Sequence, residues 1–211
     1  MKYMIKRRFP PSTRTHSVLR WSRDVFLVVG VVVLGYCGFV LLDTKLYQAR
    51  ESRSFQQQMK DLKPAIAGKG RVQEASFHPV AGGVLGQIEL TRIGVTAMIL
   101  EGTDDRTLRR AVGHIPGTSL PGQPGNVAIA GHRDTFFRAL RDVRQDDEIT
   151  LMTLEGSYRY RVDSIKVVEP EDTQVLNNSG GDLLTLVTCY PFYFVGPAPR
   201  RFIVRAQRIV R

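Results

Sequence analysis

The longest apolar segment of the chain lies near its amino terminus. Residues 25–42 are eighteen positions without a charge, a proline or a strongly polar side chain. A helix of that length spans about 27 Å, which nearly matches the roughly 30 Å hydrocarbon core of a bilayer. A soluble core helix would keep a polar stripe, and a cleaved signal would have a small-residue site behind it. The pattern therefore predicts a retained transmembrane helix.

The pattern changes twice after this segment. Residues 43–63 are polar and helix-favouring, with a narrow apolar stripe that can lie against a folded domain, and Pro64 is expected to end this helix. Residues 65–83 are rich in glycine and small side chains and show no period, which indicates a linker or a loosely held strap.

From residue 84 onward the pattern is mostly that of β-strands. Seven short apolar or alternating runs predict strands at 84–90, 95–100, 126–131, 147–154, 157–168, 182–188 and 201–210. Two hairpins are expected, with turns at Gly94 and at Glu155-Gly156. The pattern predicts a mainly β domain, a closed or partly closed barrel of seven to eight strands with two or three short helices.

Two of these short helices are expected between the strands, at residues 104–112 and 134–143. Asp104 is the expected amino-terminal cap of the first, and Asp134 or Thr135 that of the second.

The formal net charge of +10 suggests an anionic partner until the positions of the charges are considered. Residues 1–24 hold seven basic side chains and one acid, so this tail carries +6. A basic segment beside a transmembrane helix stays in the cytoplasm. We therefore expect a single-pass protein of the cell membrane with its amino terminus inside and its folded domain outside. The lipid bilayer is the expected partner, and no nucleic acid is needed.

These patterns divide the chain into four expected parts. They are a basic tail at 1–24, the anchor at 25–42, a helical or extended linker at 43–83, and the β-barrel at 84–211.

The two cysteines lie in different parts of the chain. Cys37 is inside the apolar span, and Cys189 is the only cysteine of the exported part, which therefore has no internal disulfide. A solitary thiol in an oxidising compartment is either buried and inert or retained for reactivity, and both interpretations stay open.

Candidate chemistry gathers at the ends of the predicted strands. The sequence has no CxxC, HExxH, GxSxG or GxxxxGK[ST] motif. Cys189 ends one apolar run and His132 ends another. A cysteine nucleophile needs a group that carries a proton to the leaving group and a donor to the developing oxyanion. Histidine supplies the first, and Arg200 or Arg201, at the start of the next strand, can supply the second.

Three segments in this order resemble sortases, the membrane-anchored cysteine transpeptidases of bacteria. The segments are TLVTC at 185–189, GNVAIAGHRDTFF at 125–137 and RRFIVRA at 200–206, and the longer surrounding sequences are most similar to class D sortases. The resemblance covers about residues 84–211.

The resemblance implies that Cys189 is the nucleophile, His132 the general acid and base, and Arg201 the oxyanion or substrate-positioning donor. Arg200 would then point to the opposite face of its strand. The implied reaction cleaves an LPXTG-like signal between Thr and Gly through a thioacyl-enzyme. An amine from a peptidoglycan precursor or a pilin subunit then accepts the acyl group. Secreted proteins with such a signal near their carboxyl terminus are the implied substrates, and no cofactor is needed.

Other polar residues are expected to have lesser roles. Thr188 and His114 are candidates for substrate contacts, although packing or structural hydrogen bonds explain both as well. Glu169, Glu171 and Asp172 lie in a loop where some sortases bind calcium. Three acids in a loop are usually only solvated, so no metal is expected.

Two other functions remain open. One is an L,D-type cell-wall cysteine transpeptidase, whose nucleophile is expected in an SxGCxR-like setting that this sequence lacks. The other is a catalytically idle, membrane-tethered β-domain that serves as a scaffold, in which Cys189 would be buried and unreactive.

Overall fold

The computed structural model describes residues 13–66, 80–178 and 180–209. The chain divides into two units, Met1–Lys45 and Leu46–Arg211. Residues 1–12 of the expected basic tail and residues 67–79 of the expected linker, including His78, lie outside the described residues.

The amino-terminal part is one helix, α1 (Thr13–Ile66). Its segment Arg20–Phe39 is long and apolar enough to cross a membrane, by length and composition, and none of it is buried inside the protein. The helix ends two residues beyond Pro64, because a proline removes its own N–H donor but leaves the following residues free to complete a turn.

Eight strands form a closed barrel, as the sequence pattern predicts. They are β1 (Val84–Leu90), β2 (Val95–Glu101), β3 (Val112–His114), β4 (Asn126–Ala130), β5 (Glu148–Met152), β6 (Ser157–Val168), β7 (Leu183–Tyr190) and β8 (Arg200–Ile209). Their order around the barrel is β1-β2-β3-β4-β7-β8-β6-β5, and β5 pairs with β1 to close it. The pairs β2–β3 and β4–β7 are parallel, and the others are antiparallel.

The barrel interior is filled by every second residue of each strand, as the two-residue period of a pleated strand requires. On β7, Leu184 and Leu186 are fully buried members of this core. Their neighbours across the sheet, Val127 and Ile129 on β4 and Val204 and Ala206 on β8, belong to the same core.

Both predicted hairpins are present. A 3-10 turn, Thr91–Ile93, and Gly94 in the left-handed conformation join β1 to β2. The second hairpin joins β5 to β6 through Glu155 and Gly156. Helix α2 (Asp105–Arg110) is also present, and Asp104 caps it by accepting hydrogen bonds from the backbone of Arg106 and Thr107.

Strand β3 and the second helix differ from the prediction. β3 has only three residues, one of them glycine, and is too short to show a period. The segment predicted as a helix at 134–143 is a turn followed by a 3-10 helix, Arg138–Asp142. Its amino-terminal cap position is Phe137, so neither Asp134 nor Thr135 caps it. The ring of Phe137 lies in the barrel core, which holds the chain in tighter turns than an α-helix.

The carboxyl-terminal unit includes a contact between α1 and the barrel. The Gln48 side chain accepts a hydrogen bond of 3.0 Å from Met98 N on β2 and donates one of 2.5 Å to Arg110 O. Tyr47 packs beside Met98 and Leu100, with the Arg110 guanidinium 5.2 Å above its ring. Gln48 thus supplies an acceptor for the backbone N–H of Met98, the residue before Ile99, where the pairing of β2 with β3 begins.

Candidate active site

Cys189 lies at the carboxyl end of β7, on the face of the sheet that points away from the barrel core. The neighbouring core residues Leu184 and Leu186 are on the other face by the two-residue period. The Cys189 side chain is half-buried. A thiol in this position is held by a paired strand and is still reachable from solvent.

Arg201 is the direct partner of Cys189 across the antiparallel β7–β8 pair. Residues directly opposite each other in such a pair project to the same face, with Cβ atoms about 4.5–5.5 Å apart. The Arg201 guanidinium donates hydrogen bonds of 3.2 Å to the backbone oxygens of Ala198, in the connection before β8, and of Arg200, the first residue of β8.

Arg200 has different surroundings. It is opposite Tyr190, and its guanidinium carbon is 5.7 Å from the centre of the Tyr190 ring. Of the two arginines considered from the sequence, Arg201 is therefore the one that shares a face with Cys189.

His132 is brought to the same edge of the sheet by the parallel pairing of β4 and β7. Ala130 is in register with Val187, and the ladder extends one residue further through a hydrogen bond of 3.1 Å from Gly131 N to Val187 O. His132 lies two residues after Ala130, and Cys189 lies two residues after Val187, so both are at the same level of the sheet. The structure thus brings together the three predicted residues, Cys189, His132 and Arg201, at adjacent strand ends.

Thr188 is buried, with 2% of its surface exposed, and points into the barrel. Its hydroxyl donates a hydrogen bond of 2.7 Å to Gly131 O, the residue before His132. Beneath the same end of the sheet, the rings of Tyr190, Phe192 and Phe202 pack with centroids 5.2–6.2 Å apart. These contacts fix the strand end that carries the thiol.

His114 lies on β3 and is 1% exposed. Its Nδ1 is 2.7 Å from Glu101 Oε2, and its Nε2 is 3.0 Å from both Ser119 O and Thr118 Oγ1. Both ring nitrogens of His114 and the hydroxyl of Thr188 are thus engaged by the protein. A role in substrate binding stays a prediction for both residues.

A further polar cluster, which the sequence did not single out, covers the outer face of β4 and β7. The buried Asn126 donates from Nδ2 to Val175 O at 3.2 Å and to Asn177 O at 3.4 Å, and it accepts 2.8 Å from Thr185 Oγ1. The connection between β6 and β7 is thereby held against the sheet that carries His132 and Cys189. The only sequence signal was a polar pair, Asn126 and Thr185, inside otherwise apolar strands.

The three acids of the same connection, Glu169, Glu171 and Asp172, are exposed. Asp172 Oδ2 accepts a hydrogen bond of 3.3 Å from Glu169 N, which closes the turn. Among the described residues, no group of three or more His, Cys, Asp or Glu side chains is arranged to hold a metal ion.

This arrangement is suited to acyl transfer. A half-buried thiol, an imidazole and a guanidinium lie at one edge of a rigid sheet. Such a set supplies a nucleophile, a proton carrier and a donor to an oxyanion.

Comparison with known proteins agrees with these features. Residues 88–209 match the family described as the sortase domain. Sortase D of Bacillus subtilis (strain 168) is 32% identical over 188 residues, which are 87% of this chain and 95% of that protein. The solved structure of a Clostridium perfringens Sortase D5 transpeptidase is 28% identical with a TM-score of 0.62, covering 79% of this chain and 98% of the other. The crystal structure of sortase C1 from Streptococcus suis is 30% identical with a TM-score of 0.56, covering 61% of this chain and 74% of the other.

Proposed function

The chain belongs to the sortase family of cysteine transpeptidases, and on that premise we propose that Cys189 is its nucleophile and an LPXTG-like sorting signal its substrate. The enzyme cleaves the signal between Thr and Gly and transfers the acyl part to an amine. The observation that carries this proposal is the strand register. It places Cys189 opposite Arg201 on β8 and level with His132, which follows β4.

The first half-reaction forms the thioacyl-enzyme. The Cys189 thiolate attacks the carbonyl carbon of the Thr residue, and the Arg201 guanidinium donates to the oxyanion that develops there. The His132 imidazolium gives its proton to the nitrogen of the departing Gly. The C–N bond breaks, an S–C bond replaces it, and the carboxyl-terminal part of the signal leaves as a neutral amine.

The second half-reaction reverses the roles. An incoming amine attacks the thioester carbonyl, and neutral His132 takes the proton that the amine nitrogen loses. The Cys189 thiolate leaves, and a new amide bond replaces the thioester. One amide is exchanged for another, so the reaction balances without a cofactor.

The partners of this reaction follow from the same chemistry. The acyl donor is a secreted protein with an LPXTG-like signal near its carboxyl terminus. The acceptor is the amine of a peptidoglycan precursor or of a pilin subunit. The family match to a sortase domain favours these partners over those of an L,D-type transpeptidase.

The enzyme is anchored in the cell membrane by α1. Apolar side chains of the span Arg20–Phe39, such as Phe26 and Leu34, are more than 70% exposed, as expected for a surface that lipid covers. The basic excess of residues 1–24 keeps the amino terminus in the cytoplasm, and the barrel then lies outside.

Thiol labelling distinguishes this function from an inert scaffold. The full chain with Cys37→Ala, in detergent, has Cys189 as its only thiol. We expect iodoacetamide to alkylate it rapidly at pH 7, and His132→Ala to slow the reaction by about tenfold or more, because the imidazolium stabilises the thiolate. Peptides with a Leu-Pro-X-Thr-Gly core should protect the thiol, and scrambled peptides should not.

An unreactive thiol would contradict the proposal. A labelling rate no faster than that of an unactivated thiol, and unchanged by His132→Ala and by every peptide, would support the scaffold and contradict the proposal.

A further inference from the structure

The side chain of His132 makes no hydrogen bond to any residue that the structure describes. Asp134, the nearest carboxylate in sequence, is exposed and does not orient the ring. The position of the imidazole relative to Cys189 therefore depends on how the backbone on each side of His132 is held.

The backbone before His132 is tied to β7. Gly131 donates from its N–H to Val187 O at 3.1 Å and accepts from the Thr188 hydroxyl at 2.7 Å. These two bonds fix one side of the turn.

The residue after His132 is tied to a different element. Arg133 donates from Nη2 to Phe194 O at 2.7 Å and to Gly196 O at 2.9 Å. Its guanidinium carbon is also 5.9 Å from the centre of the Phe194 ring. These oxygens belong to residues 191–199, the connection between β7 and β8 that begins two residues after Cys189, which we call the β7–β8 loop.

The middle of the β7–β8 loop, where Arg133 binds, has few other contacts among the described residues. The Phe192 ring packs on Tyr190 and Phe202. Beyond it, Tyr193 and Val195 are 78% and 95% exposed, so hydrophobic burial contributes little to that part of the loop. A charged donor shared between two backbone oxygens is a stronger tether than a neutral hydrogen bond. Arg133 Nη1 is buried and has no acceptor among the described residues, so the tether is made through Nη2.

We propose that Arg133 is a positioning residue for the reaction. It joins the turn that carries His132 to the loop that follows Cys189, and so fixes the imidazole relative to the thiol from the side that Gly131 does not hold. The inference rests on the proposed roles of His132 and Cys189.

Arg141 provides a matched control. It contacts the same loop, donating from Nη1 to the Tyr193 hydroxyl at 2.9 Å, with its guanidinium 5.8 Å from that ring. It lies in the 3-10 helix Arg138–Asp142, is exposed, and is not next to His132. Arg133→Lys and Arg141→Lys both keep the charge and both lose the planar fork of donors.

Turnover and thiol reactivity of the full chain in detergent test the inference. For peptides with a Leu-Pro-X-Thr-Gly core, we expect Arg133→Lys to lower kcat by about 10- to 100-fold with KM changed by less than about threefold, because small misplacements of catalytic groups are costly. Arg141→Lys should stay within about twofold of the parent. Cys189 alkylation is measured against pH in the Cys37→Ala background. Arg133→Lys should shift this profile toward that of His132→Ala, whereas Arg141→Lys should not.

A parent-like kcat and alkylation profile for Arg133→Lys, with its melting temperature unchanged, would overturn the inference. Hydrogen exchange separates its failure from that of the proposed function. If the parent forms no acyl adduct, the proposed substrate class is wrong. Even then, the tether predicts that the backbone amides of 131–137 and 191–199 exchange hydrogen faster in Arg133→Lys than in Arg141→Lys. Equal exchange rates in the two variants would refute the tether.

Discussion

At the scale of single residues, the pair Arg200 and Arg201 gives a sharp contrast. Arg201 shares a face with Cys189, whereas Arg200 lies over Tyr190 on the opposite face. If Arg201 donates to the oxyanion, Arg201→Lys should lower kcat/KM by about 10²- to 10³-fold, the usual cost of an oxyanion donor. Steady-state kinetics on the full chain would measure this.

The neighbouring substitution is the control for that prediction. Arg200→Lys removes the same fork of donors one residue away and should change kcat/KM by less than about threefold. Equal losses for the two variants would contradict the assignment of Arg201.

Thr188 carries a second prediction at this scale. Thr188→Val keeps the shape of the side chain but removes the hydroxyl that donates to the buried Gly131 O. An unpaired buried carbonyl costs about 1–3 kcal/mol in the free energy of unfolding, and the His132 turn loses one of its two tethers on that side. We expect a lower melting temperature and a kcat reduced by about tenfold.

Thr188→Ser restores the donor and should recover most of both properties. A Thr188→Val protein with parental kcat would show that this bond does not position His132.

The sequence points to the proposed catalytic residues more readily than to the residues proposed to position them. The resemblance to sortases pointed to Arg201, and the two-residue period of a strand then placed Arg200 on the opposite face. Arg133 and Asn126 were not recognised, because their partners Phe194 and Val175 are 61 and 49 residues away in the chain. No local pattern contains such a contact.

At the scale of elements, an ion pair links the β1–β2 turn to the segment before β5. Arg92 Nε and Nη2 donate to the buried carboxylate of Asp147, which also accepts 2.7 Å from Arg144 N. The hydrogen bond from Arg92 is the largest of the contacts that hold the pKa of Asp147 below its ordinary value.

A lowered pKa in the folded state has a defined consequence for stability. The contribution of Asp147 is fully present above its unfolded pKa of about 3.9 and is lost as the pH falls through the lower folded value. We expect Asp147→Asn to lower the melting temperature at pH 7, with a cost of about 1–3 kcal/mol. The difference from the parent should shrink below about pH 4.

The adjacent Asp146 is the control for this prediction. It is exposed and has a φ of 67°, a conformation that asparagine also tolerates. Asp146→Asn should leave the melting temperature nearly unchanged at both pH values, and a pH-independent effect of Asp147→Asn would contradict the argument.

Elements with enough residues to show a period were predicted well. β6 was predicted with the bounds Ser157–Val168 that the structure has. β3 was missed, because it pairs only through a few long-range bonds and has no pattern of its own. The 134–143 segment has helical periodicity, but the burial of Phe137 against Gly131 overrides it: a methyl group on Gly131 would lie 2.7 Å from the Phe137 ring.

At the scale of the whole molecule, the uneven charge and the barrel have separate causes. Most of the +10 lies in a tail beside an apolar span, the arrangement expected of a signal for membrane topology. The closed barrel brings β4 beside β7, although β5 and β6 lie between them in the sequence, and β8 pairs with the other edge of β7. The sequence could predict that a barrel exists, but only the strand order places His132, Cys189 and Arg201 at adjacent strand ends.

The central claim is that Cys189 attacks a peptide carbonyl and retains the acyl group as a thioester. Intact-mass spectrometry of the full chain in detergent, incubated with Leu-Pro-X-Thr-Gly peptides varied at each position, tests it directly. We predict a mass increase equal to the acyl part of a cleaved peptide. It should map to Cys189, be removed by hydroxylamine and be absent from Cys189→Ala. No adduct on Cys189 with any peptide of the library, or an equal adduct on Cys189→Ala, would contradict the account.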